Sequence, residues 1–555
     1  MSHFQHSAFH AHLILNVNRW PVFPDLKADV SLSFQSEITV MVGRNGSGKT
    51  RFARLACGEE SWAGASVARH SRIAYLPQKS ILPRDMSIAE HLNVAEQLQA
   101  LERLSNGLGR EEDLDTIDDQ WDLPEKIDKV LLLVGLDQMR LTRRTATLSG
   151  GEFTRLELAR LQLSQADFLI LDEPTNHLDQ AAQSDVLRFI DAWKGGMLII
   201  SHHRKVLDKA DRILELSSIG LKTYQGNYAD FLDHKHLEKD AIAREFEQSK
   251  KRAKHIKQEA QSSHEKAEKR ANKGENLRVG GRGKRTLADG SHGKSALDQK
   301  KNNAQNSAGK RLRKTEAVLA DTQSDVKAIE SRLEKFTKLK FELPAVNVKR
   351  GKILVRIEDL SFTYPGDSKE LIQNLDLSIK AGDKIAILGP NGSGKSTLLR
   401  LINGQLPLPK NTTNGTISRG NIKVAYLDQK TELLGTKGTI FDAFKSLNPE
   451  ANAGEVHAAL ARFLFRADEV FKEIEHLSGG ERIRCSLAAL LYSRHPPHLL
   501  LLDEPNNHLD LDSQLAVAKA LSVFEGGLVL VSHDDAFLKD IGILKHESRV
   551  YLGHH

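Results

Sequence analysis

The residues best able to do chemistry in this chain come in two matching sets. One opens with Gly43-Arg44-Asn45-Gly46-Ser47-Gly48-Lys49-Thr50, directly after the strand-like run Ile38-Thr39-Val40-Met41-Val42. The other opens with Gly389-Pro390-Asn391-Gly392-Ser393-Gly394-Lys395-Ser396, after Lys384-Ile385-Ala386-Ile387-Leu388. Glycines at this density let the backbone fold closely around phosphate oxygens, so that successive N–H groups and a helix N-terminus point at the anion. Lys49 and Lys395 would reach the β- and γ-phosphates of a nucleotide, and the hydroxyls of Thr50 and Ser396 would sit on Mg²⁺.

Each set continues in the same order. Gln78 and Gln429 come next, then Leu148-Ser149-Gly150-Gly151-Glu152 and Leu477-Ser478-Gly479-Gly480-Glu481, then Asp172-Glu173 and Asp503-Glu504, and last His202 and His533. Matching parts are offset by 346 residues (Lys49 to Lys395), 329 (Leu148 to Leu477) and 331 (Glu173 to Glu504, and His202 to His533). A fixed order at nearly constant offset marks a duplicated module. Asp172 and Asp503 close apolar runs, where a carboxylate would hold magnesium through water. Glu173 and Glu504, one residue on, can orient and polarise an attacking water. Gln78 and Gln429 carry a neutral amide suited to the γ-phosphate and the metal. His202 and His533 each follow a serine, 29 residues past the glutamate in both sets, and could contact the γ-phosphate. Ser149 and Ser478 precede helix-forming runs, and a serine cap followed by two bare glycines makes a second anion-binding helix end.

Strands that end in phosphate loops or carboxylates, alternating with helical stretches, predict an α/β fold with buried parallel sheets. Phe168-Leu169-Ile170-Leu171 and Leu499-Leu500-Leu501-Leu502 read as such strands, and the helices after the two glycine loops should end near Gly58 and Gly404. Two P-loop domains are expected, over 1–228 and 352–555, joined by a linker over 229–351. Gln78 to Leu148 spans 70 residues against 48 for Gln429 to Leu477, so the first domain carries about 22 extra residues near 94–127. These include the acidic run Glu111-Glu112-Asp113 and read either as a surface insertion or as a partner-contacting element.

The chain has 555 residues, 40% of them hydrophobic and 27% charged, which reads as a soluble globular protein of several domains. Cys57 and Cys485 are its only cysteines, one per lobe, which excludes a disulfide framework or cysteine-rich cluster and fits a reducing cytoplasm. Met1-Ser2-His3-Phe4 lacks the order of a signal peptide, and no run of 18 apolar residues predicts a membrane span. His3, His6, His10 and His12 read as a solvated terminus rather than a metal site. The net charge of +6 hides an asymmetry: Lys250 to Lys314 holds 20 Lys and Arg against 6 Asp and Glu, a local +14 that leaves −8 for the rest. Within the linker, Phe246, Ala253, Ile256 and Ala260 predict a helix from Ala229 to about Ala271. A flexible loop is expected over Lys273–Lys310. Leu319, Val326, Ile329, Leu333 and Phe336 predict a returning helix over Arg311–Lys340. Two narrow apolar stripes suggest an antiparallel coiled-coil hairpin, an arm with a basic tip.

With these motifs in place the chain resembles the ATP-binding cassette proteins, whose signature is Leu-Ser-Gly-Gly-Glu. The resemblance narrows to the ABC-F group, which carries two cassettes on one chain, no transmembrane domain, a charged helical linker and the run Glu-Pro-Thr-Asn-His-Leu-Asp, found here at 173–179. The second lobe has Glu504-Pro505-Asn506-Asn507-His508-Leu509-Asp510, departing at Asn506 in place of threonine. Every inferred phosphate ligand survives that change, so both sites are expected to hydrolyse ATP. Gly226-Asn227-Tyr228 also matches the family. The resemblance implies head-to-tail pairing within one monomer, with the nucleotide on Lys49 completed by Ser478-Gly479-Gly480 and that on Lys395 by Ser149-Gly150-Gly151. It further implies adenine stacking on an aromatic residue ahead of the glycine loop. Tyr364 is well placed for this, while Trp20, its candidate counterpart, reads better as a core residue.

Members of the ABC-F group resemble translation factors that bind the ribosome with ATP and direct the linker toward tRNA. The +14 segment independently supports a nucleic-acid partner such as rRNA or tRNA, because clustered Lys and Arg gain affinity by displacing phosphate counterions. A merely solubilising linker is the plainer alternative. The competing class is a soluble ATPase subunit of a membrane transporter. A DNA-repair ATPase is disfavoured by the absence of zinc-type Cys spacing and of a long coiled coil within a cassette. Service in normal translation and antibiotic resistance are both roles the resemblance implies for such a chain.

Overall fold

The computed structural model describes residues 12–19, 27–78, 85–217, 220–279, 317–322, 324–326, 329, 342–366, 370–408, 413–428, 432–465, 467–507 and 509–553. The chain divides into two compact units, one formed by Met1–Phe231 with Leu339–His555 and the other by Leu232–Lys338.

The first unit contains two lobes of the same design. In lobe one the main sheet has the strand order Ile73–Leu76, Phe168–Asp172, Gly196–Ile200, Ile38–Gly43, Arg212–Ser217, Gly220–Gln225. All neighbours are parallel except the last pair. Lobe two repeats it with Val424–Leu427, Leu499–Asp503, Gly527–Val531, Lys384–Leu388 and Arg549–Tyr551, all parallel. Each lobe adds a three-stranded antiparallel sheet, built around Leu13–Arg19 in one and Ile353–Phe362 in the other.

The near-continuous apolar runs follow from burial on both faces. In lobe two, Leu499 and Leu501 face the antiparallel sheet beside Leu354 and Ile357, while Leu500 and Leu502 join the helical side with Phe444, Leu487 and Val517. Strand alternation thus assigns adjacent leucines to two different cores. The helices Lys49–Cys57 and Lys395–Asn403 end at left-handed Gly58 (φ 100°) and Gly404 (φ 80°), conformations that cost a glycine little.

The extra stretch of lobe one is helical: Ala95–Ser105, Glu111–Ile117 and Leu123–Leu133. Its acidic run opens the second of these helices, where the carboxylates oppose the helix dipole favourably. Asp113 of that run turns inward onto Arg103, and the bonds from Arg103 and the Arg110 N–H push its carboxyl down to about 2.

The long helix Tyr228–Val279 starts in the first unit and continues from Leu232 in the second, and it runs eight residues past the expected Ala271, taking in the start of the segment read as a loop. The polar residues there, among them Lys273, Glu275 and Arg278, are good helix formers that need no core to continue a helix already begun. Ile242 is buried and Phe246, Ala253 and Ile256 are half-buried, a stripe at helical spacing. Residues 317–322 and 324–326 are helical, with half-buried Leu319 and Val326 in step with buried Ile329. Most of the expected tip, together with Leu333 and Phe336, lies outside the described residues, as do Trp20 and the histidines before His12.

Leu501 is fully buried in a central strand of lobe two. Leu501→Ala should cost about 2–5 kcal/mol of stability through lost transfer energy and the cavity left behind. Chemical denaturation followed by fluorescence would read this as an earlier unfolding transition. An unchanged transition would contradict the two-core packing.

Candidate functional site

Three adjacent parallel strands bring the predicted residues to one edge of each sheet. Ile38–Gly43 runs into the glycine loop, Phe168–Asp172 ends at the acidic pair, and Gly196–Ile200 ends at Ser201-His202. The equivalent strands of lobe two deliver Gly389, Asp503-Glu504 and Ser532-His533. This is the carboxyl end of an open parallel sheet, where such folds bind ligands.

In the loops, an added Cβ would stand 2.3 Å from the Leu216 carbonyl oxygen at Gly43 and 2.1 Å from that of Leu552 at Gly389. Only glycine permits so close an approach to the neighbouring strand. Lys49 Nζ donates to the carbonyls of Gly43 (2.6 Å) and Arg44 (3.2 Å), and Lys395 Nζ to those of Gly389 (2.8 Å) and Pro390 (2.7 Å). Burial lowers the pKa of both ammonium groups, and the nearby carboxylates, Glu173 foremost for Lys49 and Glu504 for Lys395, oppose it.

The acidic pairs are buried beside these lysines. Desolvation raises the pKa of Asp172 and Asp503, against the pull of the Thr50 and Ser396 hydroxyls and of the neighbouring cations. Among the described residues neither oxygen of Asp172, nor Oδ1 of Asp503, has a hydrogen-bond partner. A buried carboxylate left open beside a hydroxyl is a donor set that suits a hard divalent cation. Glu173 (φ 50°) and Glu504 (φ 51°) sit in the left-handed region, a strained backbone for a non-glycine residue and one that clusters at functional sites. Their N–H groups donate to Ile200 and Val531 at 2.8 and 3.0 Å, which ties each glutamate to the adjacent histidine-bearing strand. His202 Nε2 lies 3.8 Å from Glu173 Oε1, and His533 Nε2 lies 3.9 Å from Glu504 Oε1. Burial, reinforced by Asp172, pushes the Glu173 carboxyl up to about 7, with Lys49 opposing. Burial and the neighbouring lysine push His202 down and His533 down to about 4, so both imidazoles are neutral.

The two lobes complete each other. A cavity of about 420 Å³ is lined by Asn45, Gly46, Gly48, Lys49, Thr50, Gln78, Asp172, Glu173 and His202 from lobe one and by Ser478, Gly479, Asn506 and Asn507 from lobe two. Ser478 caps the helix Gly479–Leu491 in a capping box with Glu481, and Ser149 caps Gly150–Leu163 with Glu152. For Lys395, the cross-lobe bonds come from Asn391, whose N–H donates to Asp179 Oδ2 (3.1 Å) and whose side-chain amide donates to the His177 carbonyl (3.1 Å). Asn45 N–H reciprocates on Asp510 Oδ2 at 3.3 Å. Tyr364 stands beside the second loop's helix, its hydroxyl 3.0 Å from Thr397 Oγ1. Asn506 accepts a bond from Ser532 Oγ at 3.0 Å, which joins the acidic segment to the histidine segment. Gln429 lies outside the described residues.

The cross-lobe carboxylates Asp179 and Asp510 were present in the quoted motif but carried no signal of their contact, since a sequence does not show which of many aspartates meets a loop 212 residues away. Their equal place at the end of both acidic runs, just before a helix, was the available clue. Among the described residues no group of three or more His, Cys, Asp or Glu could hold a metal, and His12 bonds Ser36 and Ser71 instead. Both cysteines are free thiols. No described helix is long and apolar enough to cross a membrane.

Two phosphate loops on such sheets, the first facing Ser478 and Gly479 of the other lobe and the second bonded across the lobes to Asp179, define a tandem ATP-binding cassette ATPase. The ABC transporter family model matches residues 28–176 and 372–507. The energy-dependent translational throttle protein EttA of Escherichia coli is 32% identical over 92% of this chain and 87% of its own length. The putative ATP-binding protein YdiF of Bacillus subtilis is 30% identical over 90% and 74%, and ABC transporter F family member 5 of Arabidopsis thaliana is 28% identical over 90% and 69%. The chain belongs to the ABC-F family and, like its relatives, binds and hydrolyses ATP. An archaeal ribosome recycling factor aABCE1, solved with the stalk protein aP1, shares the tandem fold at TM-score 0.54 and 19% identity, covering 95% of this chain and 86% of that one.

The raised Glu173 pKa has a consequence for stability. The folded carboxyl holds its proton up to about 7, against a reference of 4.5, so folding favours the protonated form. Stability is therefore lost as pH rises from about 4.5 through about 7. Glu173→Gln removes this loss and should stabilise nucleotide-free protein at pH 8 by up to about 3 kcal/mol, seen as a raised thermal midpoint, with no gain at pH 4. Equal shifts at both pH values in calorimetry would contradict the buried, proton-holding carboxyl.

Proposed function

We propose that this protein is a cytoplasmic, ribosome-binding ATPase whose two cassettes close on ATP and reopen on hydrolysis. The observation that carries this reading is the composite cavity: the Lys49 loop, Glu173 and His202 from one lobe share it with Ser478 and Gly479 from the other. A triphosphate there is held by both lobes, so its binding energy favours the closed state over the open one. Moving such a switch from 1:99 to 99:1 takes about 5.5 kcal/mol of differential binding, which two sandwiched nucleotides are well able to supply.

In each site the loop amides and the lysine grip the β- and γ-phosphates, and the opposite signature serine and glycines cover the γ-phosphate. Glu173 and Glu504 orient and polarise the attacking water, and the neutral His202 and His533 donate to the γ-phosphate. Mg²⁺, held by Thr50, Gln78 and Asp172, and by Ser396, Gln429 and Asp503, would neutralise charge on the β- and γ-oxygens. Tyr364 supports adenine in the second site. Both sites hydrolyse, because the departure at Asn506 adds a bond to Ser532 and removes no phosphate ligand.

The ribosomal partner is supported by the named role of the 32% identical relative in translation and by the +14 segment between Lys250 and Lys314. Backbone phosphates of rRNA or tRNA are the chemistry that such a segment recognises. A transporter-subunit role would leave that segment without a partner. Service in translation at large and protection from a ribosome-directed antibiotic would use the same lobes and differ in the tip.

Glu173→Gln plus Glu504→Gln should trap ATP and co-sediment with ribosomes in ATP but not in ADP, with retention weakening as salt rises. No retention in ATP would overturn the ribosomal reading, and retention flat with salt would overturn the electrostatic role of the linker. Lys49→Ala plus Lys395→Ala should abolish nucleotide binding, and unchanged ATP turnover in that variant would refute the site. Turnover limited by Glu173 should rise with pH through about 7, because only the deprotonated carboxylate can act as a base that polarises the attacking water. A profile that falls over that range would exclude it.

A further inference from the structure

Two features have no part in the ATPase site: the Gly226-Asn227-Tyr228 motif, and the segments that start at Arg204 and Asp535, two residues past the γ-phosphate histidines. The 331-residue offset places Arg204 opposite Asp535 in the duplication and Lys209 opposite Asp540. Basic positions of lobe one are thus acidic in lobe two. The two sets meet across the lobes. Arg204 pairs with Asp540, Lys205 Nζ lies 3.6 Å from Asp535 Oδ2, and the Gln180 amide donates to Asp535 at 3.1 Å. Arg204 is well shielded, its side chain 14% exposed.

The same guanidinium reaches a second target. Its central carbon lies 6.0 Å from the ring centroid of Tyr228, the first residue of the long linker helix. Gly226 (φ 94°) turns the chain into that helix, and an added Cβ there would meet Asp230 Oδ2 at 2.2 Å. Asn227 Oδ1 accepts from the N–H of Ala229 at 2.9 Å, and Asp230 Oδ2 accepts from Asn227 N–H at 3.0 Å. The motif is therefore a glycine turn, a side-chain cap and a buried aromatic anchor. Burial raises the Tyr228 hydroxyl pKa and Arg204 opposes it, while Asp540 and Asp512 of lobe two and Asp208 of lobe one add to the rise. The root of the linker helix thus feels the opposite cassette.

We propose that Arg204 is a positioning residue that couples cassette closure to the root of the linker helix, holding Asp540 of the other lobe on one side and the Tyr228 ring on the other. Closure brings Asp540 to Arg204, which fixes the guanidinium plane over Tyr228 and steadies the first turns of the helix. Opening withdraws the carboxylate and releases that plane. This rests on the ATP-driven closure proposed above. Lysine is a poor substitute, because it keeps the point charge but lacks the planar cation that stacks on an aromatic face.

The test is hydrogen exchange on the full chain carrying Glu173→Gln and Glu504→Gln, in ATP and in ADP, with a dye in each cassette to report closure by energy transfer. With Arg204 intact, ATP should slow amide exchange over residues 228–236 by about tenfold. Arg204→Gln should lose most of that protection while the dyes still report closure, and Arg204→Lys should recover only part. Tyr228→Leu, which leaves the Asp540 pair in place, should lose the protection in the same way and decides the matter should Arg204→Gln fail to close. Full protection in closed Tyr228→Leu or Arg204→Gln protein would overturn the coupling. Absence of ATP-driven energy transfer with Arg204 and Tyr228 intact would overturn the closure reading itself, and the coupling with it.

Discussion

The structure turns on a reciprocal bond between one lobe's aspartate and the other lobe's phosphate loop. Asp179 and Asp510 each do two things with two oxygens. Oδ1 caps its own helix, accepting from Ala182 N–H or Ser513 N–H, and Oδ2 accepts the backbone N–H of Asn391 or Asn45 across the lobes. A carboxylate shared in this way ties the position of a helix in one cassette to the conformation of the loop that grips phosphate in the other. It also stands near the opposite histidine, since Asp510 acts electrostatically on His202 and Asp179 on His533. Neither site can be fully shaped by its own lobe, and this makes the two cassettes one functional unit.

Around that constraint the duplication is kept where chemistry needs it and broken where pairing needs direction. The strands, glycine loops, acidic pairs, left-handed glutamates and capped signature helices repeat almost residue for residue. The surfaces just past the histidines do not, being basic in one lobe and acidic in the other, so the charges match across the lobes as they would not between two identical copies. The helical layer differs as well. Glu157 is buried in lobe one against His91 and Arg160, where the offset puts Ser486 in lobe two. Lobe one has the three helices Ala95–Ser105, Glu111–Ile117 and Leu123–Leu133 where lobe two has Ala453–Arg462, the counterpart of the third.

Much of this was legible because phosphate binding is a backbone affair with strict local demands. Glycine at 43, 46 and 48, an apolar run before it and a carboxylate at a strand end leave few alternatives, and both sheets follow. The acidic run at Glu111–Asp113 was legible as charge but not as the Asp113–Arg103 pair it contains, because pairing depends on how two helices meet. The Arg204–Asp540 pair was equally hidden, since its partners lie 336 residues apart. Nor did spacing signal the left-handed backbone at Glu173 and Glu504, which arises from N–H bonds to a neighbouring strand and not from the residue type. In the linker, periodicity gave the stripe at Phe246, Ala253 and Ile256 but not the end of the helix. A highly charged segment can stay helical without a core to mark where it stops.

The most direct test of the composite site is single-turnover ATP hydrolysis in the Lys395→Ala background, where the Lys49 site works alone. Adding Ser478→Arg, from the opposite lobe, should abolish hydrolysis there, whereas adding Ser149→Arg, from the same lobe as Lys49, should leave it nearly unchanged. The reverse pattern, with Ser149→Arg the damaging change, would mean that each cassette completes its own site and would contradict the account at its root.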